Sequence, residues 1–191
     1  KNVEIKRGYK ENDILGGKDP YSASKACAEL TTQSYISSFF PHKKTKVLIG
    51  TARAGNVIGG GDWSDNRLIP DCVRSWSKGK KVIIRNPKST RPWQHVLESI
   101  GGYLYFATKL KKNRKLHGQA FNFGPGNIKN YNVLSLVKSM RKYWKKVSWK
   151  INANKKKSFF ESNLLKLNCN KAKNILKWHS VLTYNETVNM V

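Results

Sequence analysis

The stretch DPYSASKACAELTTQSYISSF (Asp19–Phe39), followed by KVLIGTAR (Lys46–Arg53), decides the fold class. Asp19 before Pro20 is a helix start: the carboxylate accepts free first-turn amides, and proline fits the first helical position without losing a bond. Ala23, Ala26, Cys27, Leu30, Ser34 and Ile36 follow at helical spacing, which predicts a helix from Pro20 to about Phe39, ended by Pro41 and the charged turn to Lys44. KVLIGTAR is a near-continuous apolar run of the kind found in parallel strands buried on both faces. A helix feeding such a strand is half of a βαβ repeat, so the class is α/β with a parallel sheet.

Working outward, residues 1–18 are polar and read as an extended loop, and GGGDW (Gly59–Trp63) cannot be regular structure. Leu68, Ile69, Cys72, Val73 and Trp76 predict a helix over Arg67–Lys78, stopped by Gly79. A short strand at Val82–Arg85, a loop at Asn86–Arg91, a helix at Val96–Leu110 and a strand at Gln119–Phe123 closed by GPG come next. Val133, Leu134, Leu136, Val137, Met140 and Trp144 mark another helix, Val147–Ile151 alternates as a strand, and Lys155–Ser158 is a solvated loop. Asn170 is expected to cap a last helix through Ile175 and Leu176 to Trp178.

With 39% hydrophobic and 11% aromatic residues among 191, the chain can bury a core. No apolar run approaches the roughly 20 residues that cross a bilayer, so neither a membrane nor a membrane partner is expected, and the reading is a cytoplasmic protein. Cys27, Cys72 and Cys169 are odd in number and far apart. They suggest buried thiols in a reducing compartment, without a disulfide framework or a metal site. A net charge of +26 raises the question of a polyanionic partner. The basic clusters at 43–46, 78–81, 109–115, 141–146 and 155–157 are dispersed among asparagines, which predicts a solvated surface, with nucleic acid not expected as a partner. The remaining reading is electrostatic attraction of a phosphorylated substrate or a polyanion.

Tyr21 and Lys25 stand four apart in the first turns of the helix and project from one face. A phenol near pKa 10 is a poor base at neutral pH, and lowering it by about three units takes roughly 4 kcal/mol of preferential phenolate stabilisation. An ammonium about 4 Å away supplies that order of energy at an effective dielectric near 20. YxxxK alone is a common coincidence, and a surface Tyr and Lys on a basic helix is the bland alternative.

The order and spacing of DPYSASKACAEL, TARAGNVIGGGDW, RPWQHV and AFNFGPG resemble the extended short-chain dehydrogenase/reductase family, over nearly the whole chain. Within it, RAGNVIGGGDW joined to RPWQHVLE is similar to the CDP-glucose 4,6-dehydratase branch. The resemblance implies the C-terminal part of a Rossmann-like doubly wound parallel sheet plus a smaller mixed α/β substrate-binding domain. Residues 1–56 would belong to the NAD-binding domain and 57–191 mainly to the substrate domain, with 119–123 returning to the Rossmann sheet.

The same resemblance implies NAD as cofactor, a nucleotide-sugar substrate, a homodimer and a role in deoxysugar supply for surface polysaccharide. It makes Tyr21 the catalytic base and Lys25 the residue that tunes it and holds the nicotinamide ribose. Asn56 would bind the diphosphate side of the substrate and Arg91 its phosphates or ribose. Arg53 and His95 match the pattern, although Arg53 closes a buried strand, and neutralising an interior carboxylate is the equal alternative for it. Gly61 and Asp62 would line the substrate, with a tight glycine loop as the local alternative, and Trp93 reads as core.

No GxxGxxG follows a strand in these residues, although a dinucleotide pyrophosphate needs such a turn. The start at Lys1 reads as a cut, with that turn and the water-elimination residues expected upstream, so the chain alone is expected to give no 4-keto product. The competing readings are another nucleotide-sugar epimerase or dehydratase of the same family, and a non-catalytic, basic nucleic-acid-binding pseudoenzyme that kept the fold, for which the positive charge and six tryptophans speak.

Overall fold

The computed structural model of the chain describes residues 3–41, 45–126, 130–152 and 163–191. Helix α1 spans Pro20–Phe39 as the sequence requires. Asp19 caps it, one carboxylate oxygen accepting the Ser22 amide at 2.9 Å and the other the Ser22 hydroxyl at 2.6 Å. Hydrogen bonds from Ser22 hold the Asp19 carboxyl below the usual carboxylate range. A Cβ on Gly17 would fall 1.9 Å from that of Ser22, so only glycine lets the incoming loop lie against the cap.

Strand β1 (Thr51–Ala54) pairs in parallel with β6 (Ala120–Phe123), Thr51 opposite Ala120 and Ala54 opposite Phe123. The strand is shorter than the apolar run, and its four residues are half-buried, not buried on both faces. Among the described residues β6 is its sole strand neighbour, so one edge carries no ladder. Helix α3 (Val96–Lys112) covers this pair, bringing Phe106 and Leu110 against Phe121 and Phe123. His117 ties the layer together. Its Nδ1 accepts the Ile49 amide at 2.9 Å, and its Nε2 lies 2.7 Å from the Phe40 carbonyl.

The larger core lies elsewhere. Helix α2 (Leu68–Ser77), strand β3 (Val82–Ile84), helix α4 (Val133–Met140), strand β8 (Trp149–Ile151) and helix α5 (Tyr184–Asn189) enclose Cys72, Trp76, Ile84, Leu136, Val137 and Val188. β3 and β8 run parallel with Val82 opposite Trp149, and the Trp76 indole donates to the Ser148 carbonyl at 2.7 Å. Four short strands, in two pairs, sit between the two cores and beside the cleft described below. β2 (Val57–Ile58) pairs in parallel with β5 (Gln94–His95), and β4 (Thr90–Arg91) pairs antiparallel with β7 (Tyr131–Asn132).

Several expectations change. α4 ends at Met140, and Trp144 follows in a turn, its amide bonded to the Met140 carbonyl and its ring edge-on to Trp76. The helical segment near Asn170 is one π-helical turn (Ala172–Leu176), entered with Asn168 accepting the Asn170 amide at 3.0 Å, so Asn168 does the capping assigned to Asn170. α5 went unforeseen although Thr183 and Glu186 form a reciprocal capping box at its start. Cys72 is buried and Cys169 half-buried, but Cys27 is exposed, because α1 packs little of its surface. Lys155–Ser158 lies outside the described residues. No helix is long and apolar enough to cross a membrane, and no cluster of metal-ligating side chains occurs among the described residues.

Candidate active site

Chain direction brings the quoted motifs together. After β1 the chain passes Gly55, whose absent side chain admits Pro92: a Cβ there would meet the proline ring at 2.6 Å. The Asn56 carbonyl accepts the Gln94 amide at 3.1 Å, fixing the RAGN turn against the RPWQH segment. A cleft of about 500 Å³ opens beside this junction, lined by Tyr21, Asn56, Asp62, Arg67, Arg85 and Arg91 among others. That volume is in the range of small-molecule sites.

Tyr21 stands at the rim, 70% exposed, with the Lys25 ammonium 5.5 Å from its ring centroid. The shared helix face expected from the spacing is present, but solvent surrounds it. At bulk-water dielectric an ammonium at 4 Å is worth about 1 kcal/mol, a quarter of its worth near a dielectric of 20. The pair therefore needs cover from a bound ligand or further protein to act as a base.

Arg91 is buried on β4, donates to the Thr90 carbonyl at 2.8 Å and reaches the cleft. Trp93 is core, with its indole donating to the Tyr131 carbonyl at 3.0 Å. Asp62 accepts the Ser64 amide at 3.0 Å and lies 3.5 Å from Arg67; the Ser64 bond leads the effects that hold its carboxyl below the usual range. Gly61 adopts φ +79° in the same loop, the left-handed region glycine tolerates, but is not among the lining residues.

Two further candidates for the substrate, like Gly61, fall outside the cleft, and Lys25 is not among its lining residues either. Arg53 donates to Glu29 on α1 at 2.5 Å and to the Glu11 carbonyl at 3.1 Å, which is the interior neutralisation left open by the sequence. His95 is buried and caps α3, its Nδ1 accepting the Leu97 amide at 3.2 Å. Arg67, Asn66 and Arg85 line the cleft without having been foreseen. Asn66 is held at φ +62°, and the Arg85 guanidinium donates to its carbonyl at 3.4 Å. Their sequence signal is position: Asn-Arg opens an apolar helix and Arg85 follows a short strand, so both sit at element ends facing one opening.

The family profile described as GDP-mannose 4,6 dehydratase matches residues 3–191. The chain belongs to that family. It is 42% identical to the CDP-glucose 4,6-dehydratase of Salmonella typhimurium strain LT2, across all of this chain and 54% of that protein. Among solved structures it resembles the epimerase Mth375 of Methanothermobacter thermautotrophicus (TM-score 0.82, 18% identity, 100% of this chain and 54% of that one). It also resembles the dTDP-glucose 4,6-dehydratase of Bacillus anthracis in complex with NAD (TM-score 0.74, 20% identity, 95% and 53%). These likenesses establish the α/β fold expected from the helix-strand pattern. This member of the dehydratase family spans about half the length of the relatives it matches.

Proposed function

We propose that these residues supply the proton-abstracting pair and the nucleotide-sugar cleft of an NAD-dependent 4,6-dehydratase, acting on a nucleotide-activated glucose, with CDP-glucose as the favoured substrate. The observation that carries this reading is convergence. Tyr21 from α1, Asn56 from the turn after β1 and the guanidinium groups of Arg67, Arg85 and Arg91 border one cleft, although they come from separate stretches of sequence. Three planar forks suit a diphosphate, which accepts paired hydrogen bonds. The 42% identity to a CDP-glucose 4,6-dehydratase supports the choice of nucleotide.

The chemistry follows from residue types. Tyr21 accepts the proton of the hexose 4-hydroxyl as C4 is oxidised, and Lys25 stabilises the phenolate once the cleft is covered. The C4 ketone acidifies the C5 hydrogen, so water is lost across C5 and C6, and reduction at C6 leaves a 4-keto-6-deoxy sugar nucleotide. NAD, when bound, supplies the hydride acceptor and donor of that cycle. The exposed phenol and ammonium at the start of α1 fit its ribose hydroxyls, whereas these 191 residues hold no glycine-rich turn for its pyrophosphate. We further propose that residues 1–56 with 119–123 belong to the dinucleotide-binding layer and the remainder to the substrate domain, and that the active protein is a homodimer.

The test is made in a protein that joins these residues to a glycine-rich NAD-binding half. Tyr21→Phe is expected to abolish the 4-keto product while leaving CDP-glucose binding intact. Retained turnover would dismiss Tyr21 as the base.

A further inference from the structure

The charge of the chain is not spread evenly. Between Asp71 and Glu161 the one acidic residue is Glu98, while seven Lys and Arg fall between Arg74 and Arg91 and fifteen between Lys109 and Lys157. Glu98 is already engaged, accepting the backbone amides of Val181 and Leu182.

Two basic segments far apart in sequence meet in space. The turn Lys78–Lys81 leads into β3 and the turn 141–146 leads towards β8, and these strands are parallel neighbours with Val82 opposite Trp149. The Val82 amide donates to the Ser148 carbonyl at 3.1 Å, which sets Lys81 beside Ser148. Trp76 roots both turns. Its indole bonds Ser148, its ring meets Trp144 edge-on at 5.8 Å, and its own helix runs into Lys78.

The result is one surface carrying Lys78, Lys80, Lys81, Arg141, Lys142, Lys145, Lys146 and Lys150, all exposed, with no ion pair to any of them among the described residues. Tyr143, 52% exposed, stands among them.

We infer that this surface binds the phosphate backbone of single-stranded nucleic acid. Seven of its eight cations are lysines, point charges that neutralise phosphates without the bidentate fork that reads a base edge. Tyr143 offers a face on which a base can stack irrespective of sequence. The patch is built from two turns and a strand pair, not from an amphipathic helix with an apolar face, so a lipid surface fits it less well. The dispersed clusters of the sequence suggested solvation because their meeting depends on the β3–β8 register.

The test uses the whole chain and a fluorescein-labelled oligo(dT) of about 16 nucleotides, the upper site size of a stacking groove. Anisotropy is followed against salt. Two variants carry the same net charge: Lys80→Glu/Lys81→Glu/Lys145→Glu/Lys146→Glu, and Lys109→Glu/Lys111→Glu/Lys112→Glu/Lys115→Glu. The first is expected to weaken binding at least about tenfold more than the second and to make the log–log salt slope shallower by about 3, four contacts at about 0.7 each. Circular dichroism checks that both stay folded. Equal losses in the two variants would reduce the effect to net charge, and no binding by the unaltered chain, or tighter binding to phosphatidylserine vesicles than to the oligonucleotide, would also overturn the inference.

Discussion

Helices α1 and α2 both begin beside the cleft, yet they are held in opposite ways. α1 has twenty residues and buries one of them, Ala26, while α2 has ten and buries Ile69, Pro70, Cys72 and Trp76. Leu30, Tyr35 and Phe39 on α1 are all more than half exposed. α1 is therefore specified by its ends, through the Asp19 cap and Pro20, whereas α2 is specified by what it packs against. A helix without a buried face draws little from tertiary packing and has marginal stability by itself. The residue proposed as base sits on the loosely held helix, whereas Arg67, proposed for the diphosphate, opens the packed one, with Arg85 bonded to the Asn66 carbonyl just before it.

The largest effect that would break this contrast is expected at Trp76. Trp76→Ala removes a fully buried ring and its bond to Ser148, and about 3–5 kcal/mol should be lost in urea unfolding. The thiols come next. Burial pushes Cys72 and Cys169 up to about 12, whereas Cys27 is exposed on α1. Native-state alkylation followed by mass spectrometry should label Cys27 at least about a hundredfold faster than the other two, because the thiolate is the reactive form. Hydrogen exchange gives a smaller gap. Amides in the middle of α1 should exchange at least about tenfold faster than those of α2 and α4, and equal protection would erase the contrast.

Acid produces the smallest change. The Arg7 guanidinium and the Lys10 amide hold the Asp13 carboxyl at about 2, below its ordinary 3.8. A depressed carboxylate stabilises fully above its unfolded value and loses that contribution as pH falls through its folded one, so the window is about pH 4 to 2. Asp13→Asn should lower the melting temperature slightly above about pH 4, where the carboxylate contributes fully, and make no difference near pH 2, so the pH dependence flattens across that window.

What the sequence displays in one segment was legible. α1 is bounded by Asp19, Pro20 and Pro41, and YxxxK needs only helical spacing to share a face. What depends on partners was not. KVLIGTAR reads as a doubly buried strand, but burial is set by neighbours, and β6 covers one edge of β1. His95 reads as a substrate contact, and the folded chain adds that its Nδ1 caps α3, a use that becomes visible only once the turn before the helix is formed. Arg67 and Arg85 stayed hidden because each is an ordinary surface arginine until β3, α2 and the turn after β1 are folded together. The capping box at Thr183–Glu186 is written in the sequence, but the six-residue helix it starts has little periodicity to announce it.

The most direct test of the cleft is calorimetric titration of this chain with CDP-glucose. Saturable binding is expected, weakened about tenfold or more by Arg85→Ala as one fork is withdrawn from the diphosphate, and unchanged by Tyr21→Phe. Absence of binding, or affinity indifferent to Arg85 and to Arg67→Ala alike, would contradict the assignment of this cleft to a nucleotide sugar.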